Sequence, residues 1–293
     1  MPGAGQGRGM DIDYLDHTVF ITRDFGAAWR AYEQLGFTLS PESRHFVTER
    51  AGGPLVPSCT ANRCALFGES FIELIGVVDE SAPDPWRVRP LVDRYNGLHG
   101  YSFGCHDSEA AERRLRAVGL SSSGVLNLQR DVDTPDGVRT VRARSVHIDR
   151  ARTPEGIVHT AEHLTRQFVH QQRYLVHANG ARGLAAVYLV VPTAERDEYT
   201  ARYELMLDRP ARDNAFQLRT GRVEIVTTAE YAAIFPGSQP PAVPGVAAQT
   251  VAVTDLRQAR ELVHSSGFAT VDTASGFFVA AAGAVLGFTS AGS

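Results

Sequence analysis

Cysteine is scarce in this chain, with only Cys59, Cys64 and Cys105 among 293 residues. Their spacing makes no Cys-x-x-Cys pair and their number is odd. A disulfide framework and a zinc knuckle are therefore not expected, and a reducing, cytoplasmic setting fits better. No apolar run approaches the ~18 residues that a membrane-spanning helix requires, so no membrane partner is expected. No Gly-rich phosphate loop and no serine nucleophile elbow is present. Basic residues are scattered and the formal net charge is -4, which leaves no electrostatic reason to bind nucleic acid. The opening MPGAGQGRGM lacks the apolar stretch of a secretory signal, and residues 1–12 read as a flexible leader.

What is present is the composition of a globular protein, with 43% hydrophobic and 21% charged residues, long enough for about two domains. The chain repeats itself. LDHTVFITRD, from Leu15 to Asp24, reads as a strand. FGAAWRAYEQLGF follows with Ala28, Tyr32 and Leu35 at helical spacing and Gly36 as a C-terminal cap. Short strands then end in SFIELIGVV. The same order returns in LHGYSFGCHD, in the helix SEAAERRLRAVGL, in a hairpin turning at Pro135-Asp136-Gly137, and in the strand GIVHTAEHLT. A third unit begins at GARGLAAVYLVVP with a helix from Thr193 to Leu207. A fourth begins at VAAQTVAVTD and closes with FFVAAAGAVLGFTS. The Pro-rich stretch from Phe235 to Gly245 reads as a linker between them, and 165–179 as the link between the two halves.

The opening DHTVFITRDF resembles the vicinal oxygen chelate superfamily, and within it the glyoxalase-like domain group. So does the segment CTANRCALFGESFIELIGV, with its Thr60-x-Asn62 element and Gly68, and so does TAEHLT followed by HANGARGLAAV. The likeness covers about residues 13–192. It implies an α+β fold of tandem βαβββ modules, paired into two domains whose curled mixed sheets surround a cleft. An N-terminal domain would span 13–165 and a degenerate C-terminal one 180–293. Ligands of a divalent metal come, in this superfamily, from the first and last strands of each module. Carried over, these positions are His17, Glu73 and Glu162. The fourth falls on Gly100, with His99 one residue away, and a one-residue shift on a strand turns the side chain to the other face.

One imidazole with two carboxylates suits Fe, Mn, Zn, Ni or Co. An ion so held stabilises charge on a chelated substrate oxygen, and Glu73 or Glu162 could shuttle a proton. By period-two alternation Arg142 and Arg144 share a strand face, where two guanidiniums could hold a substrate anion together with Asn62. Asn127 and Gln129 could line the same wall. The expected activity is a metal-dependent lyase or isomerase acting on a small oxygenated molecule. The alternatives are an Fe(II) dioxygenase and a non-catalytic protein that sequesters a small molecule between aromatics such as Phe20, Phe46, Phe71, Trp86 and Tyr101. The apolar C-terminal strands could cover the first pair or form a homo-oligomer interface.

Overall fold

A computed structural model describes residues 11–291. The first module comprises β1 (Ile12–Thr22), α1 (Phe25–Gln34), β2 (Ser43–Thr48), β3 (Leu55–Leu66) and β4 (Phe71–Val77), followed by the short helix α2 (Arg89–Val92). The second comprises β5 (Gly97–Cys105), α3 (Ser108–Ala117), β6 (Ser122–Thr134), β7 (Gly137–Ile148) and β8 (Ile157–His163). Helix α4 (Arg166–Val169) then leads into the second half. Both helix starts are fixed locally, because Asp24 and Asp107 accept backbone N–H bonds in the first turn. Gly36 and Gly119, just past the helix ends, sit at φ +87° and +80°, where only glycine is unstrained.

The eight strands close a barrel in the order β1-β4-β3-β2-β6-β7-β8-β5. β1 and β5 pair antiparallel, and each is flanked in parallel by the last strand of its own module. On the far side the barrel closes through β2 and β6, where Phe46 faces Gln129 and Val47 faces Leu128. Alternation then sends one side chain in two to the interior. Apolar clusters gather around the two short helices. Val88, Leu91 and Val92 around α2 pack with Val19, Ile21 and Ile75, while Val169 of α4 packs with Leu66, Phe71 and Val141.

The second half consists of β9 (Ala181–Val191), α5 (Arg196–Leu207), β10 (Ala215–Gln217), β11 (Arg222–Thr227), α6 (Thr228–Ile234), β12 (Gly245–Val253), α7 (Leu256–Ser265), β13 (Val271–Thr273), β14 (Gly276–Ala281) and β15 (Ala284–Ser290). Its pairing repeats that of the first: β9 and β12 are antiparallel neighbours, flanked in parallel by β11 and β15. The outermost strands, β10 and β13, have three residues each and do not meet, so this sheet stays open. Helix α6 was not foreseen. It fills one face of the sheet: Phe235, just beyond it, meets Tyr188 edge-on at 4.9 Å and Phe278 at 5.4 Å between ring centroids. Phe235 therefore begins a plug, not a linker.

The two halves share one core, in which Leu15, Phe20 and Ile72 of the barrel join Leu189, Val251 and Phe288 of the open sheet. Buried hydrogen bonds cross the same boundary, from Tyr101 OH to Tyr203 OH and from Gln249 Nε2 to Tyr32 OH. Two residues of the expected leader belong to the fold. Ile12 already starts β1, and Asp11 accepts a 2.8 Å bond from Arg114 Nε; the rest of the leader lies outside the described residues.

Candidate active site

One rung of the barrel carries a row of rings. His17 of β1 pairs with Phe71 on one side and with Ser102 on the other, Ser102 with His159, and His159 with His147. The side chains follow the register. His17 stacks on Phe71 at 4.5 Å, His159 stands edge-on to His17 at 5.2 Å, and His147 stacks on His159 at 4.6 Å. Small Ser102 leaves the room that lets the two outer histidines approach each other. Trp86, 6.0 Å from His147, continues the row. The cavity so lined holds about 720 Å³ of empty space counted out to its mouth.

His17 is held from behind by its own neighbour. β1 runs Leu15, Asp16, His17 against only Phe103 and Ser102 of β5, so Asp16 is the extra residue of a β-bulge. The bulge suspends alternation, and two consecutive side chains reach the same polar cluster. His17 Nδ1 donates to Asp16 Oδ2 at 2.7 Å, and His163 Nε2 donates to the same oxygen at 2.9 Å. Burial alone would push the Asp16 carboxyl up, but His163 and His17 outweigh it and hold the pKa well below the usual carboxylate range. With an ionised acceptor at Nδ1, neutral His17 keeps its proton there and turns the Nε2 lone pair into the cavity.

That lone pair faces Glu73, whose Oε2 lies 3.6 Å from His17 Nε2. Glu73 is fixed in turn by Asn62, whose Nδ2 donates to Oε1 at 2.6 Å. His45 approaches the same oxygen at 3.7 Å through Nε2, which has no hydrogen-bond partner among the described residues, and its Nδ1 meets Thr60 Oγ1 at 2.9 Å. Burial pushes His45 down to about 4 and His147 to about 3, and His159 falls well below its usual value, so all three are neutral at pH 7. His147 Nε2, His159 Nδ1 and Asn62 Oδ1 are likewise buried without partners.

Two lone-pair donors aimed at each other inside a buried cavity call for a cation or a proton between them. Donors each about 2.0–2.2 Å from one ion lie at most about 4.4 Å apart, and His17 and Glu73 fall within that limit. Among the described residues no three His, Cys, Asp or Glu side chains converge closely enough to hold one ion together. The donor chemistry fits a divalent metal through His17 and Glu73, with His159 the next imidazole on the same rung.

Several expectations are corrected. Glu162 does not join the cavity: it sits on the outward face of β8 and accepts the backbone N–H of Ser108 at 3.0 Å, satisfying the start of α3. The interior positions of that strand belong to Ile157, His159, Ala161 and His163. His99 lies outside as well, stacked on Tyr95 at 4.1 Å with Nε2 donating to Tyr95 O. At Gly100 a Cβ would stand 2.0 Å from Ile157 O, so no side chain fits at the expected fourth position. Arg142 is exposed and turns outward, because Val141 and Ala143 take the interior of β7. Arg144 borders the cavity, but its guanidinium stands 3.9 Å from Glu109 on α3. The arginine that enters is Arg130 on β6, beside Leu128, so Asn127 and Gln129 hold the wrong parity. Of the aromatics, Phe71 and Trp86 line the cavity, Phe20 and Tyr101 belong to the outer core, and Phe46 is exposed. Asn62 is inside, where it orients Glu73.

The profile of a family described as a glyoxalase-like domain matches residues 15–206. No curated protein matches the chain. Among solved structures, a hypothetical protein from Staphylococcus aureus is similar over 96% of this chain and 100% of its own, at TM-score 0.63 and 12% identity. A fusion of a xylose isomerase-like TIM barrel with 4-hydroxyphenylpyruvate dioxygenase is similar over 92% of this chain and 42% of its own, at TM-score 0.55 and 14% identity. A mutant of 4-hydroxymandelate synthase from Streptomyces coelicolor is similar over 90% of this chain and 78% of its own, at TM-score 0.52 and 12% identity. At such identities the likeness is one of fold.

Proposed function

Since this chain belongs to the glyoxalase-like domain family of the vicinal oxygen chelate superfamily, we propose that it is an enzyme that acts on a small oxygenated substrate with a divalent metal held by His17 and Glu73. The observation that carries the reading is the 3.6 Å approach of His17 Nε2 to Glu73 Oε2, each locked from behind, by Asp16 and by Asn62. A metal bound there supplies Lewis acidity toward negative charge developing on a substrate oxygen. The chain's own groups do the rest. Asp16 fixes the His17 tautomer and Asn62 fixes the Glu73 rotamer. Neutral His45 and His159 stand beside the pair with unpaired ring nitrogens, placed to take or return a proton.

Metal analysis of the purified protein tests this, followed by titration with Fe, Mn, Zn, Ni and Co. Submicromolar affinity for at least one of them, weakened about 100-fold or more in His17→Ala and Glu73→Gln, is expected. A protein that purifies without metal and takes up none of the five overturns the reading.

With Glu162 outside, proton transfer between two carboxylates loses a member. The donors facing the cavity now include two imidazoles and one carboxylate, His17, His159 and Glu73. Those donor types also serve Fe(II) oxygenases, and two fold neighbours carry dioxygenase or mandelate synthase names. Oxygen consumption by the Fe(II)-loaded protein on addition of substrate separates the two chemistries. A purely sequestering protein would bind its ligand equally well with His17 and Glu73 replaced.

A further inference from the structure

We propose that Arg130 is the receptor for the carboxylate of an apolar monocarboxylic acid, which makes such acids the substrate class of the barrel. This rests on the reading of the cavity as the substrate site, and not on the presence of metal.

Arg130 is 6% exposed and lines the cavity. Its guanidinium makes neither a hydrogen bond nor an ion pair with any described residue. A guanidinium carries five N–H donors, and burying it without a counter-charge is costly. The acids nearest in sequence do not compensate. Asp131 and Asp133 are exposed on the other face of β6, and Asp131 Oδ1 accepts from Thr140 Oγ1 at 2.8 Å. Glu73 is committed to Asn62 and to His17. Arg130 does make its charge felt, contributing to the low pKa of His45 and opposing the upward push on Cys64. A buried cation facing a cavity with no internal partner is the arrangement expected when the ligand brings the anion.

The rest of the lining sets the class. Val19, Phe71, Ile75, Trp86, Leu128 and Val141 are apolar or aromatic, so the body of the ligand is apolar. His147 and His159 among them are neutral at pH 7, and Arg144, the other arginine at the cavity, is turned toward Glu109. One unpaired guanidinium balances one negative charge, and its planar fork matches a carboxylate bidentately. A dianionic phosphate would leave a charge unbalanced.

The test uses calorimetry on the full chain with phenylacetate and phenylpropanoate as probes, against phenylethanol, phenylpropanol and phenylphosphonate. Wild type is expected to bind the acids roughly 10- to 100-fold tighter than the matching alcohols, the worth of a hydrogen bond to a charged group. Arg130→Met should abolish that preference, and Arg130→Lys should keep part of it. Arg130→Met should also melt at a higher temperature than ligand-free wild type, because an unpaired buried charge is removed, and it should bind metal unchanged. Equal binding of acid and alcohol by wild type overturns the assignment, as does a preference that survives in Arg130→Met. A fall in Tm for Arg130→Met would mark a structural role and also overturn it. Preference for phenylphosphonate over the carboxylates would reject the carboxylate class. The series is repeated after chelator treatment. Persistence of the acid preference supports Arg130 whether or not the metal reading stands, and its loss assigns the carboxylate to the metal instead.

Discussion

Asp16 and His17 are consecutive residues of one strand, yet their side chains meet, with His17 Nδ1 donating to Asp16 Oδ2 at 2.7 Å. Ordinary alternation would send them to opposite faces. The bulge opposite Phe103 and Ser102 brings both to the same cluster. If the carboxylate fixes the tautomer, then Asp16→Asn loses the constraint while preserving shape. Metal affinity should fall about 10- to 100-fold, the usual effect of removing a partner of a ligating histidine. The neutral His17 ring should populate both tautomers by ¹⁵N NMR. Unchanged affinity with a single tautomer would remove Asp16 from the site.

The two glutamates at matching module positions should separate cleanly. Glu73→Gln leaves the Asn62 contact largely in place but removes the charge that faces His17, so metal affinity drops. Glu162→Gln leaves metal affinity at the wild-type level, because that carboxylate serves the Ser108 N–H at the start of α3. Its effect is on stability, lowering it by about 1 kcal/mol, as for the loss of a cap. Paired metal titrations and thermal melts of the two variants check this. A metal defect in Glu162→Gln would return that residue to the site.

The modular order of strands and helices was legible because each module repeats a period change from 2 to 3.6, with Asp24 and Asp107 ending matching first strands. That His17 and Glu73 face one cavity was legible by family position. What escaped was parity. β7 and β6 alternate as expected, but Val141 and Leu128 take the inside, so Arg142 and Gln129 do not, and Arg130 does. Sequence period gives which residues share a face, whereas only closure of the barrel says which face is inside. Asp16 escaped because a bulge breaks the period altogether. Helix α6 was legible and passed over: Thr227 and Glu230 form a capping box, a Thr-x-x-Glu signature visible in the chain.

The plug built on α6 fills one face of the second sheet. Phe235 is 1% exposed and packs among Tyr188, Tyr231 and Phe278. Phe235→Ala should therefore destabilise the protein by about 3–5 kcal/mol, the range for deleting a buried ring, while metal affinity at the barrel stays as in wild type. Denaturant unfolding reads the first and titration the second. A loss below about 1 kcal/mol would mean the ring is not filling the sheet.

Acid should weaken the fold in a defined window. Burial pushes His45 and His99 down to about 4 and His147 to about 3, whereas an unfolded chain titrates its histidines near 6.5. Above pH ~6.5 neither state is protonated and these groups do not change stability. As pH falls below that value, the unfolded chain binds protons that the native chain refuses, and stability drops by up to about 1.4 kcal/mol per pH unit for each histidine. Asp16 acts lower down: its depressed pKa keeps it ionised, so its stabilisation is complete above about pH 4 and is lost only further into acid. His99 isolates the histidine effect, since it lies outside the cavity and bonds, among the described residues, to Tyr95 O. His99→Gln keeps a donor there and removes the titration, so its melting temperature should fall less steeply than that of wild type between about pH 7 and 5. Melts of both proteins in chelator, to remove any contribution from metal, make the comparison. Parallel slopes would show that His99 does not remain neutral in the fold.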